Sequence, residues 1–107
     1  MSEIFHLPDN FIGREDRGKL ESFGGHVIAH GRATRWHWTA DEQGNDVFQI
    51  YKGGVDEVLA YDISRDRKRD LFLVHDHRGQ EVLAGDLEHV MAGLEKILAT
   101  EHGESPA

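Results

Sequence analysis

Residues 71–100 carry the strongest structural pattern in the chain, two strands followed by one amphipathic helix. An apolar run at 71–74 and a mixed run at 81–84 are separated by a polar turn that contains Gly79. Gly85 interrupts the second run, and Asp86 is a residue type favoured at helix N-termini. The apolar positions that follow recur every three or four residues, and they are Leu87, Val90, Met91, Leu94, Ile97 and Leu98. Because this spacing places all six on one side of a helix, the segment predicts a strand hairpin with a helix packed against it.

Four further runs upstream have the composition and alternation of strands. They lie at residues 26–33, 34–39, 47–52 and 58–63. The connections between the predicted strands are too short for the crossover that parallel neighbours need, so antiparallel pairing is predicted. The predicted fold class is therefore α+β, an antiparallel meander of five or six strands with a C-terminal amphipathic helix packed on one face.

The two ends of the chain carry weaker patterns. Residues 1–25 predict a mostly irregular arm, because glycines and a dense charge cluster weaken any helix pattern except a short one near 18–22. Within this arm, Ile4, Phe5 and Leu7 predict a short edge strand. Residues 26–100 are predicted to form the single domain that a chain of 107 residues can support. Residues 101–107 predict a frayed tail.

Composition and charge narrow the classes of function. The chain has 20 acidic and 12 basic residues, which gives a formal net charge of −8. This sign disfavours phosphate backbones and anionic lipids, so neither a nucleic acid nor a membrane is expected as a partner. The absence of cysteine excludes disulfides, thiolate ligands and a cysteine nucleophile. No apolar run has the length of a membrane span and the N-terminus lacks a signal-peptide pattern, so a cytoplasmic location is expected.

Histidines supply the candidates for metal chemistry. In a continuous strand, His75 and His77 project from the same face, as in a two-histidine metal site, and Glu81 follows four residues later. His26 and His30 share one face of the predicted strand at 26–33, and His37 joins that pair if its own strand folds back on the run. His37 is therefore a further candidate ligand. One hypothesis is therefore a divalent metal at these residues. The alternative is a set of surface histidines, with no cofactor.

Two other groups are candidate surfaces for a ligand or a partner. Trp36 and Trp38 share one face of a strand, and they are either an aromatic platform for a planar ligand or large residues of the core. The connection between the strands at 58–63 and 71–74 is basic, and its cationic residues are Arg65, Arg67, Lys68 and Arg69. This connection is either a solvated loop or a contact for an anion or an acidic partner.

The leading hypothesis is a small acidic, non-catalytic protein-interaction domain, because the chain has neither a nucleophile elbow nor a phosphate-binding loop. Its strands carry more apolar surface than one helix covers. The remaining face is expected to be covered by the curled sheet, by an arm at residues 4–12 or by a second copy, and a twofold homodimer is favoured. Two alternatives remain: a small metal-dependent enzyme or ligand-binding protein that uses the histidines and Glu81, and an acidic inhibitor of a basic partner.

Overall fold

The structure, a computed structural model, describes residues 8–101, and its sheet is an antiparallel meander. The elements in chain order are α1 (Arg14–Ala29), β1 (Arg35–Ala40), β2 (Asp46–Lys52), β3 (Val58–Asp66), β4 (Leu71–Asp76), β5 (Glu81–Gly85) and α2 (Leu87–Glu101). Each strand pairs with the next along the chain, so the spatial order of the strands equals their sequence order. The predicted α+β class is confirmed, with five strands and a C-terminal helix that packs against β4 and β5.

The start of α2 agrees with its sequence pattern. Asp86 caps the helix, because its Oδ1 accepts a hydrogen bond of 2.8 Å from the backbone N–H of His89. The buried face of α2 consists of Leu87, Val90, Leu94 and Leu98. On the same helix, Gly93 permits a close approach to β5, since a Cβ atom there would lie 3.0 Å from both methyl carbons of Leu83.

The first helix contradicts two predictions. Residues 26–33 are not a strand, because Arg14–Ala29 forms one continuous helix. Residues 14–25 of the predicted irregular arm belong to this helix as well, and the predicted domain boundary after residue 25 falls inside it. The helix buries Leu20, Phe23 and Val27, which are three and four residues apart. Tertiary packing of this face therefore outweighs the low helix propensity of the glycines.

Gly24 explains why a segment with several glycines is helical at this place. A Cβ atom at Gly24 would lie 2.6 Å from Cδ1 of Trp36 and 2.9 Å from Cζ of Phe48. Any other residue would therefore push α1 away from β1 and β2. The glycine that weakens the helix in isolation is the residue that lets the helix pack against the sheet.

Both helices lie on the same face of the sheet. α1 contacts β1, α2 contacts β4 and β5, and the two helices contact each other. The core lies between the helices and the sheet, and the strands contribute to it Phe48, Ile50, Ile63, Phe72 and Val74. Because β1 and β5 are the two edges of an open sheet, the sheet does not curl into a closed roll. Among residues 8–101, no helix covers the opposite face.

Two predictions for the chain ends concern residues that the structure does not describe. The predicted edge strand at Ile4, Phe5 and Leu7 lies outside the described residues, and so do residues 102–107 of the predicted tail. Glu101, the first residue of that predicted tail, is the last residue of α2. Its carboxylate accepts hydrogen bonds from Lys52 and Tyr61, which fix the end of the helix to the sheet.

Candidate functional site

The face of the sheet opposite the helices, called here the open face, presents its side chains in rows across the strands. One row takes one polar residue from each strand in turn, and its members are His37, Gln49, Asp62, His75 and Glu81. The next row is partly apolar, and its members are Thr39, Val47, Ser64, Leu73 and Ala84. The open face therefore combines a polar row with apolar side chains beside it.

Asp62 and His75 lie near the middle of the polar row. Asp62 Oδ1 is 3.6 Å from His75 Nδ1, and the two side chains are only 25% and 28% exposed. Burial raises the pKa of Asp62 above its ordinary value, and the nearby His75 imidazole opposes this rise only in part. On the other side of Asp62, the Oε1 atom of Gln49 accepts a hydrogen bond of 3.0 Å from the Tyr51 hydroxyl. The open face thus contains a carboxyl group whose ionised form is poorly solvated.

Four apolar side chains beside the polar row form what we call the apolar patch: Val47, Leu71, Leu73 and Ala84. Leu73 occupies its centre, because it pairs with Ser64 on β3 and with Ala84 on β5. Every member of the patch is partly exposed, whereas Phe48, Ile50, Phe72 and Val74 on the other face of β2 and β4 are buried. A group of neighbouring apolar side chains on an uncovered surface is typical of a contact site for another protein segment.

Ion pairs at two ends of the open face neutralise its charges. Beside the apolar patch, Arg69 Nε donates a hydrogen bond of 2.8 Å to Asp66 Oδ2, and Arg69 Nη2 lies 3.5 Å from Glu81 Oε1. The hydrogen bond from Arg69 holds the pKa of Asp66 below its ordinary value. Beyond the polar row, Arg35 Nη2 lies 2.8 Å from Glu57 Oε1. The open face therefore offers apolar and hydrogen-bonding surface rather than a strong charge of one sign.

The four predicted metal ligands do not come together. His75 and Glu81 pair across β4 and β5, although a register irregularity lies next to them. His37 belongs to the same row but lies on β1, with β2 and β3 between it and His75. His77 follows the end of β4 and lines a separate depression next to Glu101. Within residues 8–101, no group of three or more histidine, cysteine, aspartate or glutamate side chains could hold a metal ion.

The two tryptophans lie on the helix-covered face of the sheet. The Trp36 ring stacks on Phe48 with centroids 5.6 Å apart, and the Trp38 ring meets Phe48 edge-on at 5.0 Å. The Trp38 indole N–H donates a hydrogen bond of 2.8 Å to Glu21 Oε2, and the Arg17 guanidinium lies 4.1 Å from the ring centroid of Trp38. Both indoles thus take part in the packing of α1 against β1 and β2, on the side away from the open face.

The basic segment at residues 65–69, which spans the end of β3 and the turn before β4, uses its arginines in contacts within the chain. Arg65 Nη1 donates a hydrogen bond of 3.0 Å to the backbone oxygen of Leu71, and Arg65 Nη2 lies 2.8 Å from Asp70. Arg67 Nε donates a hydrogen bond of 3.0 Å to the backbone oxygen of Phe11. Arg69 makes the ion pairs described above, and Lys68 is exposed. The arginines of this segment are therefore engaged in structural contacts.

A groove of about 850 Å³ lies between α1 and α2, and it was not predicted because α1 was not predicted. Phe23 and Met91 line it, and Lys19 Nζ lies 3.4 Å from the carboxylate of Glu88 at its edge. Glu95 also lines the groove, and its Oε1 is 2.9 Å from His26 Nε2 and 3.1 Å from Arg32 Nη1. The hydrogen bond to His26 is the main reason why the pKa of Glu95 is below its ordinary value.

A second depression, of about 600 Å³, lies where α2 ends beside the sheet. Tyr61, Lys52 and Glu101 line it together with His77. Burial raises the pKa of Tyr61, and the neighbouring Glu101 carboxylate raises it further. Burial also raises the pKa of Glu101. The hydrogen bonds from Lys52 and Tyr61 together lower it by more, so the pKa of Glu101 is below its ordinary value. This cluster fastens the C-terminal turn of α2 to the sheet.

The sequence identified only part of the open face. The sequence predicts His37, His75 and Glu81 as candidate metal ligands together with His77, whereas it does not single out Gln49 or Asp62. The alternation of Tyr61, Asp62 and Ile63 does indicate that Asp62 projects away from the core. Which residues share its row depends on the register between strands, which the sequence alone does not give.

None of the helices in the described residues has the length and apolar character required to cross a membrane. Comparisons with protein-family models, with curated proteins and with solved structures found no match to the chain.

Proposed function

We propose that this protein is a small non-catalytic interaction domain, and that the open face binds a second copy of the chain to form a homodimer. The observation that carries this proposal is the position of the two helices. Both lie on one face of the sheet, so the apolar patch on the other face has no cover among residues 8–101. The free energy of the system falls when another surface covers such a patch and excludes water from it.

The proposal predicts that, within the apolar patch, Leu73 makes the largest contribution to the free energy of dimerisation. It lies at the centre of the apolar patch, between Ser64 and Ala84. Complete burial of one leucine side chain contributes about 1.5 to 3 kcal/mol relative to exposure. In a twofold dimer the same patch is buried twice, and hot spots of binding energy lie near the centre of an interface.

The charge distribution indicates that apolar contacts, rather than ion pairs, hold the two copies together. Each copy carries a formal net charge of −8, so two copies repel each other at long range. The principal cations near the open face, Arg69 and Arg35, already pair with Asp66 and Glu57. The favourable free energy of a dimer must therefore come mainly from the apolar patch.

The two alternatives have less support. A metal-dependent activity needs ligands that converge, whereas His37 and His77 are remote from the pair formed by His75 and Glu81. An acidic inhibitor needs carboxylates that are available to a basic partner. Several acidic side chains of the described residues are instead engaged within the chain, among them Glu57 by Arg35 and Glu95 by His26.

Light scattering coupled to size exclusion tests the proposal. The chain at micromolar concentration is expected to give a mass near twice 12.1 kDa. Leu73→Lys should give 12.1 kDa, because it places a charge at the centre of the patch. Ala92→Lys is the matched control, since it adds the same charge at an exposed site on α2 and should leave the dimer intact. A wild-type mass of 12.1 kDa at every concentration would reject the homodimer.

A further inference from the structure

Two contacts join α1 and α2 along the groove between them, with the same spacing on both helices. Lys19 Nζ lies 3.4 Å from Glu88 Oε1, and His26 Nε2 lies 2.9 Å from Glu95 Oε1. Each helix advances by seven residues from the first contact to the second, so the two helices run side by side in the same direction. Seven helical residues correspond to about 10.5 Å, so the contacts are roughly two turns apart.

Apolar side chains form the floor of the groove between these contacts, and small residues line its opening. Phe23, which is 8% exposed, and the partly exposed Met91 form the floor. Gly18, Ser22 and Ala92 line the groove and are exposed. Small residues at a contact permit the short end of the range of about 8 to 10 Å between packed helices. The groove therefore suits the convex apolar face of a third helix.

The packing of the described fold does not explain Gly18. Glycine inside a helix is destabilising relative to alanine. At Gly24 the fold requires it, because a Cβ atom would lie 2.6 Å from Trp36 Cδ1. A Cβ atom at Gly18 would meet no atom of the described residues within 4 Å. The absence of a side chain at Gly18 thus keeps the groove open and contributes nothing to the packing of α1.

The end of the groove at which both helices begin is acidic. Glu15 and Glu88 share the one ammonium group of Lys19, whose Nζ lies 4.0 Å and 3.4 Å from their carboxylates. Their side chains are 87% and 72% exposed, so both carboxylates are accessible to a partner. Two negative charges beside one positive charge leave this end with a net negative charge.

A smaller depression, of about 390 Å³, continues this acidic end, because two of its lining residues also line the groove. Asp16 and Asp86 add two further carboxylates there. The additional cation of this depression, Arg65, already lies 2.8 Å from Asp70. At the opposite end of the groove, the Glu95 carboxylate is engaged within the chain. The uncompensated negative charge is therefore concentrated where the helices begin.

We propose that the groove between α1 and α2 binds an amphipathic helix of a partner protein, with basic residues beside the apolar face of that helix. Helices that bind in apolar grooves present anchor residues at i, i+3 or i+4, and i+7, a span that matches the two turns between the contacts. The basic residues of the partner lie toward Glu15 and Glu88. The net charge of −8 favours the approach of such a helix, whereas it repels a second copy of the chain.

This inference does not depend on the proposed function, because the two surfaces lie on opposite sides of the sheet. The groove lies between the helices, and the apolar patch lies on the face that carries no helix. One chain can therefore bind a second copy and a partner helix at the same time.

A synthetic peptide tests the inference on the full-length protein. The probe is a peptide of about 18 residues, or five helical turns, with leucine and alanine on one face and lysine on the other. In ¹⁵N–¹H spectra it should shift the amides of Gly18, Ser22 and Ala92, and leave those of Val47 and Leu73 unchanged. A matched peptide with glutamate at every lysine position should bind at least tenfold more weakly.

Three lysine substitutions locate the binding site. Gly18→Lys and Ala92→Lys should each weaken binding of the basic peptide by about tenfold or more, because a long cationic side chain fills the groove. Gly25→Lys is the matched control, since it makes the same change at an exposed position of α1 that does not line the groove. It should leave the affinity unchanged. Lysine favours a helix over glycine, so both glycine variants are expected to fold.

A further pair of variants tests the acidic end. Glu88→Gln should weaken binding of the basic peptide by about two- to fivefold, the range expected for one exposed charge pair. Glu42→Gln, at an exposed turn between β1 and β2, should have no effect. Equal affinities of Glu88→Gln and Glu42→Gln, or equal binding of the basic and the acidic peptide, would reject the basic partner.

The readouts separate this inference from the proposed function. Ala92→Lys should block the peptide and leave the dimer intact, whereas Leu73→Lys should abolish the dimer and leave the affinity for the peptide unchanged. If the peptide shifts only amides of the open face, or none, the inference is overturned and the homodimer stands. If the chains stay monomeric but bind the basic peptide in the groove, the homodimer is rejected and this inference stands.

Discussion

Asp62 and His75 face each other across β3 and β4 at 3.6 Å, on the face of the sheet that carries no helix. A position on an uncovered face normally leaves a carboxylate well hydrated. Here the neighbouring side chains leave Asp62 only 25% exposed, and its pKa is raised. The folded chain therefore holds a carboxyl group in surroundings that disfavour its charge.

The first prediction concerns the effect of Asp62 on stability as a function of pH. A raised pKa means that the folded state binds the proton more tightly than the unfolded state. The stabilising contribution is complete below the unfolded pKa of about 3.9 and is lost as pH rises through the folded pKa. The amide side chain introduced by Asp62→Asn does not ionise, so this variant does not lose stability in that range of pH. The difference in unfolding free energy, variant minus wild type, should therefore be larger at about pH 7 than at about pH 3.

Urea unfolding at both pH values measures this difference. Asp56→Asn is the matched control, because it makes the same chemical change at an exposed residue outside the strands. A difference between Asp62→Asn and wild type that stays constant with pH would contradict the burial argument.

The second prediction compares two adjacent glycines of α1. Gly24→Ala should destabilise the fold by about 1 to 3 kcal/mol, because the new methyl group would lie 2.6 Å from Trp36 Cδ1. Gly25→Ala should stabilise it by about 0.5 to 1 kcal/mol, because a Cβ atom there meets no atom within 4 Å and alanine favours the helix. Denaturant unfolding measures both, and equal stabilities of the two variants would show that α1 does not approach Trp36 this closely.

The third prediction concerns the buried face of α2. Leu94 is completely buried, so Leu94→Asp places an unpaired charge in the core and should abolish the cooperative unfolding transition. Leu94→Ala should fold but lose about 2 to 5 kcal/mol. Lys96→Asp introduces the same carboxylate at an exposed position of the helix and should cost no more than about 1 kcal/mol. If Leu94→Asp melts like wild type, Leu94 does not lie in the core.

The fourth prediction concerns metal. Elemental analysis of the untagged protein should find less than one equivalent of zinc, nickel or iron, and a chelator should leave the melting temperature unchanged. The reason is that His75 and Glu81 have neither His37 nor His77 beside them. One equivalent of metal that disappears in His75→Ala would favour the metal-dependent alternative over the interaction domain.

The strands and α2 could be predicted because their patterns are local. Alternation predicted the strands at 34–39, 47–52 and 58–63, but it also predicted a strand at 26–33, where α1 ends. A continuous apolar run predicted β4, and the spacing from Leu87 to Leu98 with a capping Asp86 predicted α2. The spacing of Leu20, Phe23 and Val27 was also present in the sequence. The glycines around these residues lower the helix propensity, so the spacing alone did not predict α1. The helix is stabilised where Gly24 packs closely on Trp36, and this contact with a residue of another element cannot be read from the sequence.

The open face could be predicted only in part, because it depends on the pairing between strands. His75 was singled out for its nearness to His77 in the sequence, yet β4 ends at Asp76 and the two histidines separate. Its actual neighbour, Asp62, is thirteen residues away along the chain. The sequence did predict that one helix would leave an apolar face of the sheet uncovered. In the structure α1 packs on the same face of the sheet as α2, so neither helix covers the opposite face.

A dilution series followed by ¹⁵N–¹H correlation spectra tests the central claim, that the open face is the surface of self-association. As the concentration rises through the dimer transition, amide shifts should change at the residues in and beside the patch, which are Val47, Ser64, Leu73 and Ala84. The amides of Glu88 and Ala92, at the groove between the helices, should keep their shifts. Changes confined to that groove would assign the contact to the helices, and spectra that do not change with concentration would contradict self-association through the open face.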